Sequence, residues 1–292
     1  MSKPGSIKLD SAIFGALAPS RFDQFILALT KPLPDNWIGL RLAMLLRRAV
    51  TMRLKYPDGA LDVERWGMRM RLHPRDNGCE KNLLFTPRMY EPMELSELEI
   101  EIARAEVQGR PFLFVDIGAN VGLFSLFVAA RARSSASILA IEPEPGNLCR
   151  LGFNIAANPG VPIKVIPKTL SDEAGWAAIE LDRRDRGGTR TKKIAQPQVT
   201  SDTVFVNSQT LLDVLMVEGI DAVDALKIDV EGMEDVILHP FFRDAPPRMW
   251  PRLVIAEDQR GSWEHDLISI MVAKGYTFIA RSTHKNLILR RE

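Results

Sequence analysis

Phe112-Leu113-Phe114-Val115-Asp116-Ile117-Gly118-Ala119-Asn120-Val121-Gly122 is the stretch on which the reading of the fold turns. Phe112 to Val115 is a continuous apolar run between Pro111 and Asp116, as expected of a strand buried on both faces. An acid follows, then two glycines four residues apart, then the apolar helical pattern of Val121 to Arg131. Gly118 permits a tight turn and close approach of a ligand; Gly122 is expected to let the helix start pack near the sheet. The helix start offers free N–H groups. A dinucleotide fold would carry Gly-x-Gly-x-x-Gly here. Ala119-Asn120 stands instead, and Asp116 at the strand tip disfavours a phosphate and suits a cationic ligand, such as an ammonium or a sulfonium. A nicotinamide-dependent oxidoreductase is thereby disfavoured.

Outward from this stretch, strands alternate with helices. Ile138 to Ile141 and Ile163 to Ile166 read as strands, with a helix from Pro145 to Ala157 between them. Residues 176–206 read as strand pieces around an exposed loop containing Gly187-Gly188. A helix over Gln209 to Val217 precedes the strand Ala225 to Ile228, and a helix from Met233 precedes the strand Leu253 to Ala256. After a helix from Trp263 to Lys274, Tyr276 to Ala280 and Asn286 to Leu289 read as an antiparallel pair. This alternation argues for a doubly wound, mostly parallel sheet whose ligands sit at the carboxyl ends of the strands. Upstream, Val63 to Leu72 reads as a hairpin turning at Gly67, with Trp66, Met68 and Met70 on one face and Arg65, Arg69 and Arg71 on the other. Glu94 to Glu106 reads as a helix.

Two further stretches sit where such a sheet puts its ligand. Glu142, in Ile141-Glu142-Pro143-Glu144-Pro145, closes the second strand and can accept hydrogen bonds from both hydroxyls of a ribose. Leu226-Lys227-Ile228-Asp229-Val230-Glu231-Gly232-Met233-Glu234 places Lys227, Asp229 and Glu231 in alternation, projecting to one side. Asp229 or Glu231 is a candidate general base, and Lys227 tunes their proton affinity. The plain alternative is an ion-paired strand end. Asp229, Glu231, Glu257 and Asp258 are oxygen ligands of the kind a divalent cation takes, but no spacing demands one and no metal is expected.

In this order and spacing, DIGANVG, EPEPGNL with Asn154, and LKIDVEGME resemble the FkbM family of S-adenosylmethionine-dependent methyltransferases. Leu72-His73-Pro74-Arg75-Asp76, Tyr90-Glu91-Pro92, Leu170 to Gly175, Thr210 to Asp213, Val254 to Glu257 and Lys274-Gly275-Tyr276 are also similar to that family, so the resemblance covers about residues 65–290. It implies a class I, Rossmann-like methyltransferase fold with strand order 3-2-1-4-5-7-6 and strand 7 antiparallel. It implies S-adenosylmethionine as cofactor, with Asp116, Gly118, Ala119, Asn120 and Gly122 around its amino acid part, Glu142 on its ribose, and Ser171 and Asp172 beside its adenine. The implied reaction is O-methylation of a hydroxyl on a sugar, glycan or natural product, with His73, Tyr90 and Glu91 as acceptor contacts. A nucleic-acid or protein methyltransferase, or a binding protein retaining the fold, is the alternative.

Charge supports the small-molecule reading. Lys and Arg number 38 against 37 Asp and Glu, a net charge of +1, too neutral for a protein living on phosphate contacts, so no nucleic acid partner is expected. Two cysteines, Cys79 and Cys149, make no disulfide framework; with no apolar run long enough to span a bilayer, a cytoplasmic location is the expectation. The organisation reads as a helical N-terminal extension (1–60), an approach segment of hairpin and helix (61–110), and the cofactor-binding domain (111–292). The extension is basic, with nine Lys and Arg against four Asp and Glu, and is broken by Pro32 and Pro34. Residues 37–55 place Arg41, Arg48 and Lys55 on one helix face and Leu42, Leu45, Leu46 and Ala49 on another. That pattern fits an amphipathic helix packed on the main domain, the ordinary case, or one lying on an anionic membrane or partner surface. The methyl acceptor and the oligomeric state are not readable from the sequence.

Overall fold

Phe112 and Phe114 are buried in one hydrophobic cluster, Val115 and Ile117 in a second, so one strand feeds a core on each of its faces. The computed structural model describes residues 13–34, 36–52, 59–180, 190–194 and 203–292; Lys55 and Gly187-Gly188 lie outside them. In chain order the elements are α1 (Arg21–Thr30), α2 (Trp37–Thr51), β1 (Leu61–Arg65), β2 (Met68–Leu72), α3 (Gly78–Phe85), α4 (Pro92–Val107), β3 (Phe112–Ile117), α5 (Leu123–Ala132), β4 (Ala136–Ile141), α6 (Pro145–Ala156), β5 (Ile163–Ile166), β6 (Thr169–Leu170), β7 (Gly175–Glu180), β8 (Arg190–Ile194), β9 (Thr203–Gln209), α7 (Leu211–Val217), β10 (Ala225–Ile228), α8 (Glu234–Asp244), β11 (Leu253–Glu257), α9 (Leu267–Ala273), β12 (Tyr276–Arg281) and β13 (Asn286–Arg291).

Seven strands form the main sheet in the order β5-β4-β3-β10-β11-β13-β12. The first five are mutually parallel, and β13 runs antiparallel to both β11 and β12. Counted along the chain this is 3-2-1-4-5-7-6, the class I methyltransferase order. The direction of winding reverses between β3 and β10, the crevice where such sheets bind ligands. The strand pieces read within 176–206 are, among the described residues, β7, β8 and β9 of a second sheet of order β6-β9-β7-β8.

The β1–β2 hairpin forms as expected, but Arg71 is not on a solvent face. It is 1% exposed, its Nε lies 2.7 Å from Asp62 Oδ1, and its guanidinium stacks 3.9 Å from the Phe153 ring centroid. Alternation alone cannot show this, because both faces of the hairpin are covered here. α3, unread in the sequence, begins with a legible cap: Asn77 Oδ1 accepts from the Glu80 N–H at 3.2 Å. The first core runs from α1 through β1, β2, α3 and α4 into β3 and α5. α2 buries Gly39, Ala43 and Val50, with Leu46 half-buried, while Leu42 and Leu45, expected on the packed face, are exposed. Among the described residues no helix is long and apolar enough to cross a membrane.

Candidate active site

At the carboxyl ends of β3, β4, β10 and β11 lies a cavity of about 340 Å³. The loop leaving β3 enters the left-handed region at Gly118 (φ +73°), Asn120 (φ +53°) and Gly122 (φ +84°). A Cβ on Gly118 would fall on the Asp229 carbonyl. This glycine is therefore required by the close approach of the β3 and β10 exits, not by a ligand alone. The N–H groups of Gly118 and Ala119 both donate to Ile141 O, at 2.9 and 3.0 Å, which ties the loop to the end of β4. A Cβ on Gly122 would stand 2.5 Å from Leu151 Cδ1, so Gly122 lets α5 start against α6 rather than against the sheet. Asn154 braces the same place: its Nδ2 donates to Val121 O at 3.1 Å, and its Oδ1 accepts from the Arg71 N–H at 2.8 Å.

Asp116 belongs to β3 rather than ending it, and it does not line the cavity. Its Oδ2 accepts from the Ser125 N–H (3.1 Å) and hydroxyl (2.7 Å) at the first turn of α5. It pairs in register with Lys227 of β10. Burial pushes its carboxyl up against the opposing pull of Lys227 and Ser125. Asp116 thus braces the loop at the start of α5 and attracts the Lys227 ammonium.

Glu142 does line the cavity. Its Oε2 accepts from the Asn120 N–H at 2.7 Å and its Oε1 from the Glu144 N–H at 2.8 Å. The Asn147 side chain also hydrogen-bonds this carboxyl. Burial pushes the carboxyl up to about 7, although the two N–H bonds favour its charged form. Ala119 and Asn120 line the same wall, and Asn120 Oδ1 accepts from Asn77 Nδ2 at 2.8 Å. Ser171 and Asp172 bond each other at 2.8 Å and do not reach the cavity; Lys168, Thr169 and Leu170 do. β5 ends at Ile166, so the residues at its tip come a few positions earlier than the sequence reading placed them.

The β10 exit brings Lys227, Asp229 and Glu231 into the cavity together. Lys227 Nζ lies 3.0 Å from Asp229 Oδ2 and 4.9 Å from the Phe124 ring centroid. Burial works to lower the ammonium, but Asp229 and Asp116 outweigh it and hold it above its usual range. Glu231 arrives through a left-handed residue (φ +57°) beyond the strand, not through strand alternation. Glu257, from β11, joins them: carboxylate oxygens of Asp229, Glu231 and Glu257 all lie within 4.8 Å of one another. Burial, with Asp229, Glu231 and Glu234 adding repulsion, pushes Glu257 up to about 8. These three are oxygen donors that could hold a divalent cation; Asp258 is drawn off by Arg260 and Arg281.

Of the three acceptor contacts expected, Tyr90 and Glu91 line the cavity and His73 does not. His73 is buried, its N–H donating to Glu80 Oε2 at 2.6 Å in a network with Arg150 and Asp76. Glu91 has φ +45° and accepts from Asn286 Nδ2 at 2.7 Å. Burial, then the neighbouring Glu94, pushes it up to about 9. Six carboxyl groups and two lysines line the cavity, and Asp229 already pairs with one lysine. Three of the six, Glu91, Glu142 and Glu257, titrate near or above neutral, and a cationic ligand would draw them into their charged form, so the wall favours cations over phosphates.

The Methyltransferase FkbM domain model matches residues 116–277, from β3 to β12, and so takes in the β3 loop, Glu142 and the carboxylates of β10 and β11. A methyltransferase, sdnD, from Sordaria araneosa is 32% identical over an alignment of 161 residues that covers 46% of this chain and 61% of that protein. The chain thus spans less than two thirds of that relative. The 31-O-demethyl-FK506 methyltransferase FkbM from Streptomyces tacrolimicus is 29% identical over an alignment of 195 residues that covers 56% of this chain and 72% of that protein. Among solved structures, the METTL16 methyltransferase domain has a TM-score of 0.46 at 15% identity (92% of this chain, 91% of that one). A SAM-dependent methyltransferase from Agrobacterium tumefaciens has a TM-score of 0.43 at 12% identity (80% and 70%). With a family match over more than half its length, and with the strand order and glycine loop described above, this chain belongs to the FkbM methyltransferase family.

Proposed function

We propose that the cavity binds S-adenosylmethionine and that the protein methylates a hydroxyl of a sugar, glycan or natural product. The observation that carries this is Glu142, which lines the cavity beside the β3 loop and is held there by the N–H groups of Asn120 and Glu144. Two vicinal ribose hydroxyls fit that acceptor, and the acid-rich wall fits a ligand carrying an ammonium and a sulfonium. The bound cofactor supplies an activated methyl group. Asn120 and the β3 loop hold its amino acid end, Glu142 its ribose, and Lys168 to Leu170 border its base.

The chain's own residues then position the acceptor and take its proton. Tyr90, Glu91 and Asn286 stand across the cavity to orient a hydroxyl-bearing ligand. S-adenosylmethionine would supply the methyl group to the acceptor oxygen there, and the hydroxyl proton would pass to the cluster of Asp229, Glu231 and Glu257. With a carboxyl at about 8, Glu257 is mostly protonated at neutral pH and accepts the proton only in its ionised fraction, which grows as the pH rises, while Lys227 holds Asp229 in place. Positioning supplies much of the remaining rate. The Streptomyces tacrolimicus relative is named for 31-O-demethyl-FK506, which supports an oxygen acceptor here. The test is transfer of a labelled methyl from S-adenosylmethionine to sugars, lipid-linked glycans and polyketide alcohols, with the methylated atom identified. O-methyl products are expected. Label found only on nucleic acid or protein nitrogens, or on no acceptor, would refute the assignment.

A further inference from the structure

The outward side of the N-terminal helix pair is apolar where a surface helix should be polar. On α2, Trp37, Leu45 and Met52 are 66%, 68% and 73% exposed, and Ile38, Leu40, Leu42 and Met44 are exposed beside them. Phe25 and Leu29, four residues apart on α1, add a second exposed apolar stripe. The inward side of α2 is already satisfied by Gly39, Ala43 and Val50. At 100° per residue the outward centre of α2 holds Trp37, Arg41, Leu45, Arg48 and Met52, so arginines are interleaved with the apolar side chains. The Arg41 guanidinium lies 5.3 Å from the Trp37 ring centroid. α2 has no acid, and the acid of α1, Asp23, is buried in the Ser20 capping box.

We infer that this face docks on an anionic lipid bilayer. Long apolar and aromatic side chains enter the headgroup boundary while arginine stems lie along them and carry their charge to lipid phosphates. A second copy of the chain fits poorly. A two-fold contact would bring Arg41 and Arg48 against their own counterparts, with no exposed acid among the described residues of either helix to pair them. Both helices pack on α3, whose Gly78, Cys79 and Asn82 line the cavity, so docking would bring the cavity's α3 wall to the bilayer. The inference does not depend on methyl transfer.

The test is co-flotation of the full chain with vesicles of phosphatidylcholine alone and of phosphatidylcholine with phosphatidylglycerol. Binding to the anionic vesicles is expected, weakened by salt. Arg41→Ala and Arg48→Ala should each lower the partition by about fivefold, and Leu45→Glu should abolish it. Unchanged melting temperatures would show that these exposed positions leave the fold intact. Failure to bind the anionic vesicles, equal binding to neutral ones, or partition indifferent to the arginines would overturn the inference. So would self-association through this face that Leu45→Glu abolishes.

Discussion

Gly118→Ala is predicted to be the most damaging of the conservative changes in the β3 loop, and the structure contains its own calibration. Gly118, Gly122 and Gly219 all have φ between +69° and +84°, so an alanine at each carries the left-handed backbone cost of about 1–2 kcal/mol. At Gly219 nothing lies within 4 Å of the added methyl, and that cost stands alone. At Gly122 the methyl stands 2.5 Å from Leu151 Cδ1, the end of a flexible but fully buried side chain, which adds roughly 1 kcal/mol of repacking. At Gly118 the methyl meets backbone: it falls on the Asp229 carbonyl oxygen and lies 3.0 Å from its carbon. Relief requires the β10 exit to shift, against the bond from the Asp229 N–H to Ile117 O (3.0 Å) and the Lys227 pair. That adds about 1–3 kcal/mol, for a total of roughly 2–5 kcal/mol. Urea denaturation of the three variants should give midpoints falling in the order Gly219→Ala, Gly122→Ala, Gly118→Ala. Gly118→Ala should also weaken S-adenosylhomocysteine binding, because it displaces Asp229. If Gly118→Ala costs no more than Gly219→Ala, the close approach of the two strand exits is wrong.

Three other outcomes follow from the same geometry. Glu257 is protonated below about pH 8, so a rate that uses it as proton acceptor rises about tenfold per pH unit up to that value and then levels; Glu257→Gln should remove this limb, and an unchanged profile would exclude Glu257. Glu142→Gln sets an amide N–H₂ against one of two backbone donors, so S-adenosylhomocysteine affinity should fall by about 10- to 100-fold; equal affinity in a titration would exclude Glu142 as the ribose acceptor. Arg71→Ala removes the ion-pair partner of the buried Asp62, leaving it the N–H groups of Gly15 and Leu17, at a cost of about 3–5 kcal/mol; a melting temperature lowered by on the order of 10 °C is expected, and a loss of only a degree or two would mean the pair is not closed in solution.

The parts of this fold legible in the sequence are those governed by local pattern. The run Phe112 to Val115 is apolar on both faces because both faces are covered, and the glycines at 118 and 122 mark turns that only a left-handed backbone makes. Glu142, Lys227, Asp229 and Glu231 follow from the rule that ligands gather at strand ends, and all four do line the cavity. What the sequence hides is which partner a polar group takes once both faces of its element are covered. Asp116 turns to Ser125, Arg71 to Asp62, and the His73 N–H to Glu80, each within the neighbouring turn or strand and none singled out by alternation. The high proton affinity of Glu257 arises from burial and from carboxylates more than twenty residues away. For α2, periodicity shows two faces but not which one the domain covers; the small residues Gly39 and Ala43, not the leucines, mark the buried side.

The most direct test of the account is calorimetric titration of the full chain with S-adenosylhomocysteine, alongside NAD⁺. One site per chain that Glu142→Gln weakens, with no heat from NAD⁺, is the predicted result. Binding of NAD⁺ with none of S-adenosylhomocysteine at millimolar ligand would contradict it.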